Sequence, residues 1–320
     1  TVGICKALAS GVSGFSFALS RLKPDVLVVL GDRYEIFAAA QAAMLLRIPI
    51  AHLHGGESTV GVIDEAIRHS ITKMAHLHFV TDEEYRHRVI QMGEDPIRVF
   101  NVGAVGLDNI TRLALLDREA FERSINFKLG RFNFLVTYHP ETLSEKGSSR
   151  PMKSLLQALD AFPQAKIIFT KSNAETGSRD IGRLIDSYVS RNPSRAMAAV
   201  SLGQLRYLSA IRHTDLVLGN SSSGIIEAPM LRKPTVNIGM RQEGRIKAPS
   251  IVDCSDSVED IRRAIVTALS PAMRKKLETF QNPHGEGNAS RQVKNYLKRA
   301  NLRGILVKKF FVLPGGKTTQ

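Results

Sequence analysis

Residues 26–30, Val26-Leu27-Val28-Val29-Leu30, constrain this chain more than any other stretch. Five consecutive apolar residues after Lys23-Pro24-Asp25 read as a strand covered on both faces, as in a parallel sheet. Gly31-Asp32-Arg33 follows, and then a helical pattern from Glu35 to Leu46. A second short strand over 49–53 ends in His54-Gly55-Gly56-Glu57, and another helix begins near Ile63-Asp64-Glu65. Two successive strands therefore end in acids, histidines and glycines. Open α/β sheets bind their ligands at the carboxyl ends of the strands.

The alternation continues along the chain. Residues 5–22 carry Leu8, Phe15, Ala18, Leu19 and Leu22 at helical spacing. Strands are expected at 76–80 and 97–100, with a helix over 82–92 between them. A charged segment over 117–128 reads as a linker. Beyond it, strands are expected at 133–138, 166–170, 197–200, 215–218, 235–238 and 250–252, with helices between them. Three further helices, near 258–269, 271–280 and 289–299, precede a polar tail from Gly315. The pattern predicts an α/β protein of two Rossmann-like, doubly wound domains. The expected division is 1–125 for the first domain, 126–290 for the second, and 291–320 for a C-terminal helix and tail that packs back on the first. Such a tandem suits a nucleotide sugar, although periplasmic binding proteins and dehydrogenases also have two domains.

At 320 residues the chain is long enough for two such cores, and its 43% hydrophobic and 23% charged residues are ordinary for a globular protein. No uninterrupted apolar run reaches the ~18 residues of a membrane span, and the start lacks the basic region and apolar core of a signal peptide. Cys5 and Cys254 lie far apart without metal spacing and read as reduced thiols of a cytoplasmic protein. The formal charge of +14 raises a nucleic-acid reading. Its lysines and arginines are spread along the chain with no RNA motif or zinc spacing. A field that attracts a small polyanion, or a solvated basic surface, explains the charge better.

Several residues carry chemistry by type and position. Asp32, just past a buried strand and a glycine, projects from the ligand edge of the sheet or caps the following helix. His52, His54 and Glu57 surround a Gly-Gly turn where backbone and ligand come close. His52-x-His54 lacks a third metal ligand at diagnostic spacing. Asp64 and Glu65 occupy a first helical turn, where the dipole favours acids, with Arg68 and His69 as i+4 partners. Together the carboxylates of Asp32, Glu57, Asp64 and Glu65 form a set suited to proton transfer on two faces of a carbon. In the second half, His139 lies just past a strand. Leu218-Gly219-Asn220-Ser221-Ser222-Ser223-Gly224 opens into a helix N-terminus, which suits a phosphate. Glu227 falls outside the capping-box position of either Ser222 or Ser223 and is available to ribose hydroxyls. Arg241 and Arg245 add positive charge after the next strand.

These motifs resemble the UDP-N-acetylglucosamine 2-epimerase family, and more closely its hydrolysing branch, over essentially the entire chain. The resemblance rests on Leu-Gly-Asp-Arg-Tyr-Glu at 30–35, His-Leu-His-Gly-Gly-Glu at 52–57 and Ile-Asp-Glu-Ala-Ile-Arg-His at 63–69. It continues in Thr-Tyr-His-Pro-Glu-Thr at 137–142, Gly-Asn-Ser-Ser-Ser-Gly at 219–224, Gly-Met-Arg-Gln-Glu-Gly-Arg at 239–245 and the loop over 282–290.

The resemblance implies a GT-B-like pair of domains with the active site in the interdomain cleft. It implies conversion of UDP-GlcNAc and water to ManNAc and UDP, by elimination to 2-acetamidoglucal followed by water addition, in nonulosonic (sialic) acid biosynthesis. Alternatives are a hydrolysing epimerase of UDP-N,N′-diacetylbacillosamine, the non-hydrolysing UDP-GlcNAc epimerase, a GT-B glycosyltransferase and an inactive UDP-sugar-binding chain. The catalytic set is then Asp32, His54, Glu57, Asp64, Glu65 and His139. The UDP-binding set is Arg33, Asn220, Ser221, Ser222, Ser223, Gly224, Glu227 and Arg241. No cofactor and no metal are called for. The implied partners are the UDP-sugar and further copies of the chain in a homodimer or homotetramer, with neither nucleic acid nor membrane. Two departures stand out. Some members have Glu where this chain has His54, so His54 or Glu57 takes over that proton transfer. The family also opens with a strand and a Gly-Thr-Arg-Ala-Asp-like loop. This chain begins inside the pattern, so its first domain is expected to be short of two strands and one arginine.

Overall fold

The structure, a computed structural model, describes residues 2–59, 62–140, 149–171 and 178–313. Glu141 and Thr142 of the 137–142 motif and the polar tail from Gly315 lie outside the described residues. The chain divides into two compact units. The first holds residues 1–58, 63–108 and 284–320, and the second holds 59–62 and 109–283.

In the first unit α1 (Val2–Leu22) precedes a regular alternation. It runs β1 (Leu27–Leu30), α2 (Tyr34–Leu45), β2 (Ile50–Leu53), α3 (Asp64–Met74), β3 (Leu77–Val80), α4 (Glu83–Gln91) and β4 (Val99–Asn101). The four strands are parallel in the order β1-β2-β3-β4. β4 starts later than expected because Asp95 caps a 3-10 turn over Pro96–Arg98, accepting the Ile97 N–H at 3.1 Å. β1 is an edge strand, and Val28 and Leu30 on it are half exposed rather than covered on both faces.

The expectation about membrane spans needs correction. α1, at 21 residues with a mean hydropathy of 1.5 in its best window, is long and apolar enough to cross a membrane by length and composition. Small residues interrupt its apolar runs without making it polar, so counting uninterrupted runs misses it. It packs on α2, where Gly11 faces Ala38, and Leu19 enters the core with Val29, Ile50 and Ile71.

The chain leaves the first unit within α5 (Leu107–Arg112). The charged segment expected as a linker is α6 (Arg118–Ile125), capped by Asp117 and anchored by the fully buried Phe121. Then follow β5 (Phe132–Thr137), α7 (Ser149–Leu159), β6 (Ala165–Thr170), α8 (Ser178–Arg191), β7 (Ala196–Ala199), α9 (Gly203–His213) and β8 (Leu216–Gly219). The unit ends with α10 (Ser222–Met230), β9 (Thr235–Ile238), β10 (Ile251–Cys254), α11 (Val258–Ala268) and α12 (Pro271–Thr279). Its six parallel strands lie in the order β10-β9-β8-β5-β6-β7. Period-two alternation sends Phe134, Val136, Ile167 and Phe169 to one face, against α7, α8 and α11. Leu135, Ile168 and Val217 go to the other face, against α6, α9 and α10. The sheet's direction of growth reverses between β5 and β8, the switch point where such sheets bind ligands.

The chain then returns to the first unit with α13 (Ala289–Arg299). Asn288 offers no side-chain cap, and Asp108 does the work, accepting the N–H groups of Ala289 at 2.8 Å and Ser290 at 2.7 Å. Tyr296 stacks on Phe100, which stacks on Phe79 of β3.

His52, His76 and His78 are buried in this unit. Burial pushes His52 down to about 3, and burial reinforced by Lys308 and Arg98 pushes His76 down to about 4. Burial also lowers His78, which lies 3.0 Å from Glu94 Oε2. Burial would raise Glu94, but bonds from His78, Lys308 and Lys73 hold it at about 2. The unfolded chain protonates its histidines below pH ~6.5 while the folded unit resists. Stability is therefore lost as pH falls from ~6.5 towards the folded values. Urea unfolding should show a loss of about 2 kcal/mol for each of His52 and His76 between pH 6.5 and pH 5. His76→Asn should shrink that pH-dependent loss by one histidine's share; an unchanged loss would contradict the assignment.

Candidate active site

In the first unit the acids collect around one buried arginine. Arg68, on α3, is 1% exposed. Its Nη1 donates to the Glu57 carbonyl oxygen at 2.9 Å and to Glu65 Oε2 at 2.6 Å, and its Nη2 pairs with Asp32 Oδ2. Burial would lower the guanidinium, but the carboxylates of Asp32, Glu57 and Glu65 outweigh it and raise its pKa. Of the two expectations for Asp32, the helix cap fails. The residue at the cap of α2 is Arg33, whose side chain makes no capping bond, and the Asp32 carboxylate points to Arg68 instead. Arg68 pairs with Glu65 at i+3, and the expected i+4 pair of Glu65 with His69 forms. Glu65 also meets Ser58 Oγ at 3.0 Å and His69 Nε2 at 3.1 Å, and Asp64 stands half-buried beside it.

The turn after β2 is tightly framed. His52 donates from Nε2 to the Gly31 carbonyl at 2.9 Å, and its Nδ1 lies 3.3 Å from Thr72 Oγ1. A buried neutral histidine thus ties the loop presenting Asp32 to the helix that carries Arg68. Gly56 has φ +79, and a Cβ there would fall 2.5 Å from the Tyr85 carbonyl oxygen, so only glycine fits. Arg88 Nη1 holds the Gly56 carbonyl at 2.7 Å. Beyond it, His54 Nδ1 lies 2.8 Å from Glu57 Oε1. Arg33, expected to bind UDP, is partly exposed with its Nε 3.4 Å from Glu35 Oε2.

In the second unit the loops after β5 and β8 are locked together at the switch point. Asn220 is fully buried. Its Oδ1 accepts the His139 N–H at 2.7 Å and its Nδ2 donates to the His139 carbonyl at 2.8 Å. The Asn220 carbonyl accepts from Arg241 Nη1 at 3.1 Å and Gln242 Nε2 at 2.8 Å. Both ends of the Asn220 side-chain amide thus bond the backbone of His139. Gly219 has φ +130, and a Cβ there would overlap the Thr137 carbonyl oxygen. Ser221 caps α10, accepting the Ser223 N–H at 3.4 Å. The N-terminus of α10, flanked by three serine hydroxyls, is an anion site in geometry. Gly224 packs against Thr235, where a Cβ would meet Cγ2 at 2.7 Å, and Glu227 lies half-buried one turn on. Tyr207, on α9, has its phenol raised by burial against the lowering pull of Ser223 and Thr137, with Glu227 nearby.

Four of these residues are absent from the sequence expectation as site builders: Arg68 as the organiser of the acids, His52 as a brace, and Gln242 and Tyr207 around α10. Arg68 left a trace as a basic residue one turn after two acids, and His52 as a histidine beside the Gly-Gly turn.

The profile of one family, UDP-N-acetylglucosamine 2-epimerase, matches residues 1–298. The chain belongs to this family. Among its relatives, the GDP/UDP-N,N′-diacetylbacillosamine 2-epimerase (hydrolyzing) of Campylobacter jejuni is 40% identical over 313 residues, covering 98% of this chain and 81% of that protein. Polysialic acid biosynthesis protein P7 of Escherichia coli is 38% identical, covering 93% and 77%. The UDP-N,N′-diacetylbacillosamine 2-epimerase (hydrolyzing) of Legionella pneumophila is 34% identical, covering 96% and 79%. Among solved structures, a UDP-GlcNAc 2-epimerase from Neisseria meningitidis bound to UDP-GlcNAc superposes with a TM-score of 0.79 at 19% identity, over 93% of this chain and 82% of that one. The family's GT-B-like α/β fold is therefore the fold of this chain, and the chain is an enzyme of the UDP-sugar 2-epimerase kind.

Arg68→Ala removes the buried donor that Asp32, Glu65 and the Glu57 carbonyl share. It should destabilise the protein by about 3–5 kcal/mol in urea unfolding, whereas a loss under about 1 kcal/mol would mean the cluster is solvated. Asn220→Ala should weaken UDP binding at least about tenfold by calorimetry, since it unlocks both loops. Unchanged affinity would separate Asn220 from the site.

Proposed function

We propose that the chain is a hydrolysing 2-epimerase of a UDP-linked 2-acetamido sugar. The carboxylate set gathered by Arg68 at the carboxyl ends of β1 and β2 is the observation that carries this reading. Breaking the C1–O bond sends its electron pair to UDP. Loss of the C2 proton forms the C1=C2 bond of a 2-acetamidoglucal. Water then adds at C1, C2 is reprotonated on the opposite face, and the free epimerised sugar leaves. Asp32 and Asp64, with Glu65 beside them, are the acid/base groups in this scheme. On the second unit, Ser221, Ser222, Ser223 and Gly224 hold the diphosphate at the α10 N-terminus, and Glu227 takes the ribose. His139 and Arg241 offset the charge that develops on the leaving oxygen.

UDP-N,N′-diacetylbacillosamine is the first substrate to assay, because two of the relatives are named for it. UDP-GlcNAc is the second, on the strength of the family name and of the relative named for polysialic acid biosynthesis. The same reading has the enzyme work in the cytoplasm, as a homodimer or homotetramer, in nonulosonic (sialic) acid biosynthesis.

The test separates turnover from binding. Asp32→Asn and Asp64→Asn should slow UDP release by ~10²–10⁴ while calorimetric UDP affinity stays within about threefold. Ser222→Ala and Glu227→Ala should do the reverse, weakening UDP binding roughly tenfold or more. If all four merely lowered the unfolding temperature, the acids and serines would be structural and the reading would fall.

A further inference from the structure

The segment after α13 lies at the end of the first sheet opposite its acids. We propose that residues 303–313 form a docking surface for an anionic lipid bilayer, on which the first unit rests peripherally.

The backbone of this segment is strapped down while several of its side chains stand out. Arg98 Nη1 donates to the Ile305 carbonyl at 3.1 Å, and Ile305 is buried in the core. Lys308 Nζ donates to the carbonyls of Lys73 at 2.8 Å and Ala75 at 2.6 Å, and it pairs with Glu94 at 2.6 Å. The Phe311 N–H donates to the Gly93 carbonyl at 2.9 Å. These anchors lie just before β3 and β4, so the strap crosses the amino ends of those strands. Asp32 and Glu57 follow the carboxyl ends of β1 and β2.

The apolar side chains of the strap face water. Val307 is 72% exposed, Phe310 69% and Val312 51%, and Ile97, next to the Arg98 anchor, is 75% exposed. They are gathered rather than scattered. Val307, Lys309 and Arg98 line one hollow, and the Phe310 ring covers Gly93 with Lys73 Nζ 5.1 Å from its centre. A free tail could turn such side chains inward, but three anchors hold this one as it is. Grouped apolar side chains on a surface mark a site of interaction.

Charge identifies the partner. Residues 287–320 contain eight lysines and arginines and no aspartate or glutamate. Arg303 and Lys309 are exposed on the strap, and Lys73 is exposed beside Phe310. The nearby acids are engaged elsewhere. Glu94 is buried between Lys73, Lys308 and His78, and Asp95 caps the turn over Pro96–Arg98. Cations beside aliphatic and aromatic side chains suit the bilayer boundary, where apolar groups enter the acyl chains and cations meet phosphate headgroups. Nucleic acid would use the cations and stack on Phe310, but it gives Val307 and Val312 nothing to bury against. The sequence expectation of no membrane partner is overturned on this proposal. A short strap without helical periodicity escapes a search for spanning segments.

Vesicle sedimentation tests the proposal. The chain should pellet with phosphatidylglycerol–phosphatidylcholine vesicles and bind pure phosphatidylcholine at least about tenfold more weakly. K309E should weaken binding to the anionic vesicles at least about tenfold, and the double variant V307S/V312S should weaken it by roughly the same factor. All three side chains are exposed, so the unfolding temperature and UDP release should not change. Failure to pellet with the anionic vesicles would overturn the proposal. So would binding that V307S/V312S leaves intact while K309E removes it, which is the behaviour of a surface for an acidic polypeptide or a nucleic acid. Binding that both variants leave intact would move the contact to another face, such as α1, and overturn it as well. UDP release is read separately, so failure of the epimerase reading would leave this result standing.

Discussion

A single buried guanidinium holds the acid cluster of the first unit together. Arg68 reaches from α3 to the loop after β1 through Asp32, to the turn after β2 through the Glu57 carbonyl, and to its own helix through Glu65. Burying such a cluster contributes little net stability, because desolvation offsets most of the attraction. What it fixes is geometry. A planar fork with five donors holds two carboxylates and a carbonyl at set distances from one another. His52 repeats the device with a neutral group, bonding the Gly31 carbonyl at one nitrogen and adjoining Thr72 at the other. Proton transfer demands that kind of placement.

The second unit fixes its loops without a buried charge. Asn220 uses both ends of its amide on the backbone of His139, and two further side chains converge on its own carbonyl. The loops after β5 and β8 thereby become one rigid piece at the switch point of the sheet. The N-terminus of α10 opens directly from it, with its N–H groups and serine hydroxyls preset for an anion. Preorganised donors of this sort need no rearrangement when charge develops on a leaving group.

The fold was largely legible in the sequence because periodicity and turn residues report local preference. β9 and α13 fall where the pattern puts them, and most other elements begin or end within one to three residues of expectation. Two misreadings have physical causes. The segment 117–128 looked like a linker because its charges dominate, yet Asp117 caps it and Phe121 anchors it. α1 escaped a count of uninterrupted apolar runs because alanine, serine and glycine dilute its leucines and phenylalanines. At the site, residue types and strand ends pointed to Asp32, Glu65 and the 219–224 loop. The partners did not appear, since Arg68 meets Asp32 across 36 positions and Asn220 meets His139 across 81. No local spacing encodes such pairs.

The central claim is that these groups remove and return a proton at C2 while UDP is lost. A proton NMR time course of the chain with UDP-N,N′-diacetylbacillosamine, and in parallel with UDP-GlcNAc, in D₂O tests it directly. The account predicts free sugar epimerised at C2, carrying deuterium there, appearing together with UDP. A released sugar that keeps its C2 proton, or an epimer still joined to UDP, would contradict it.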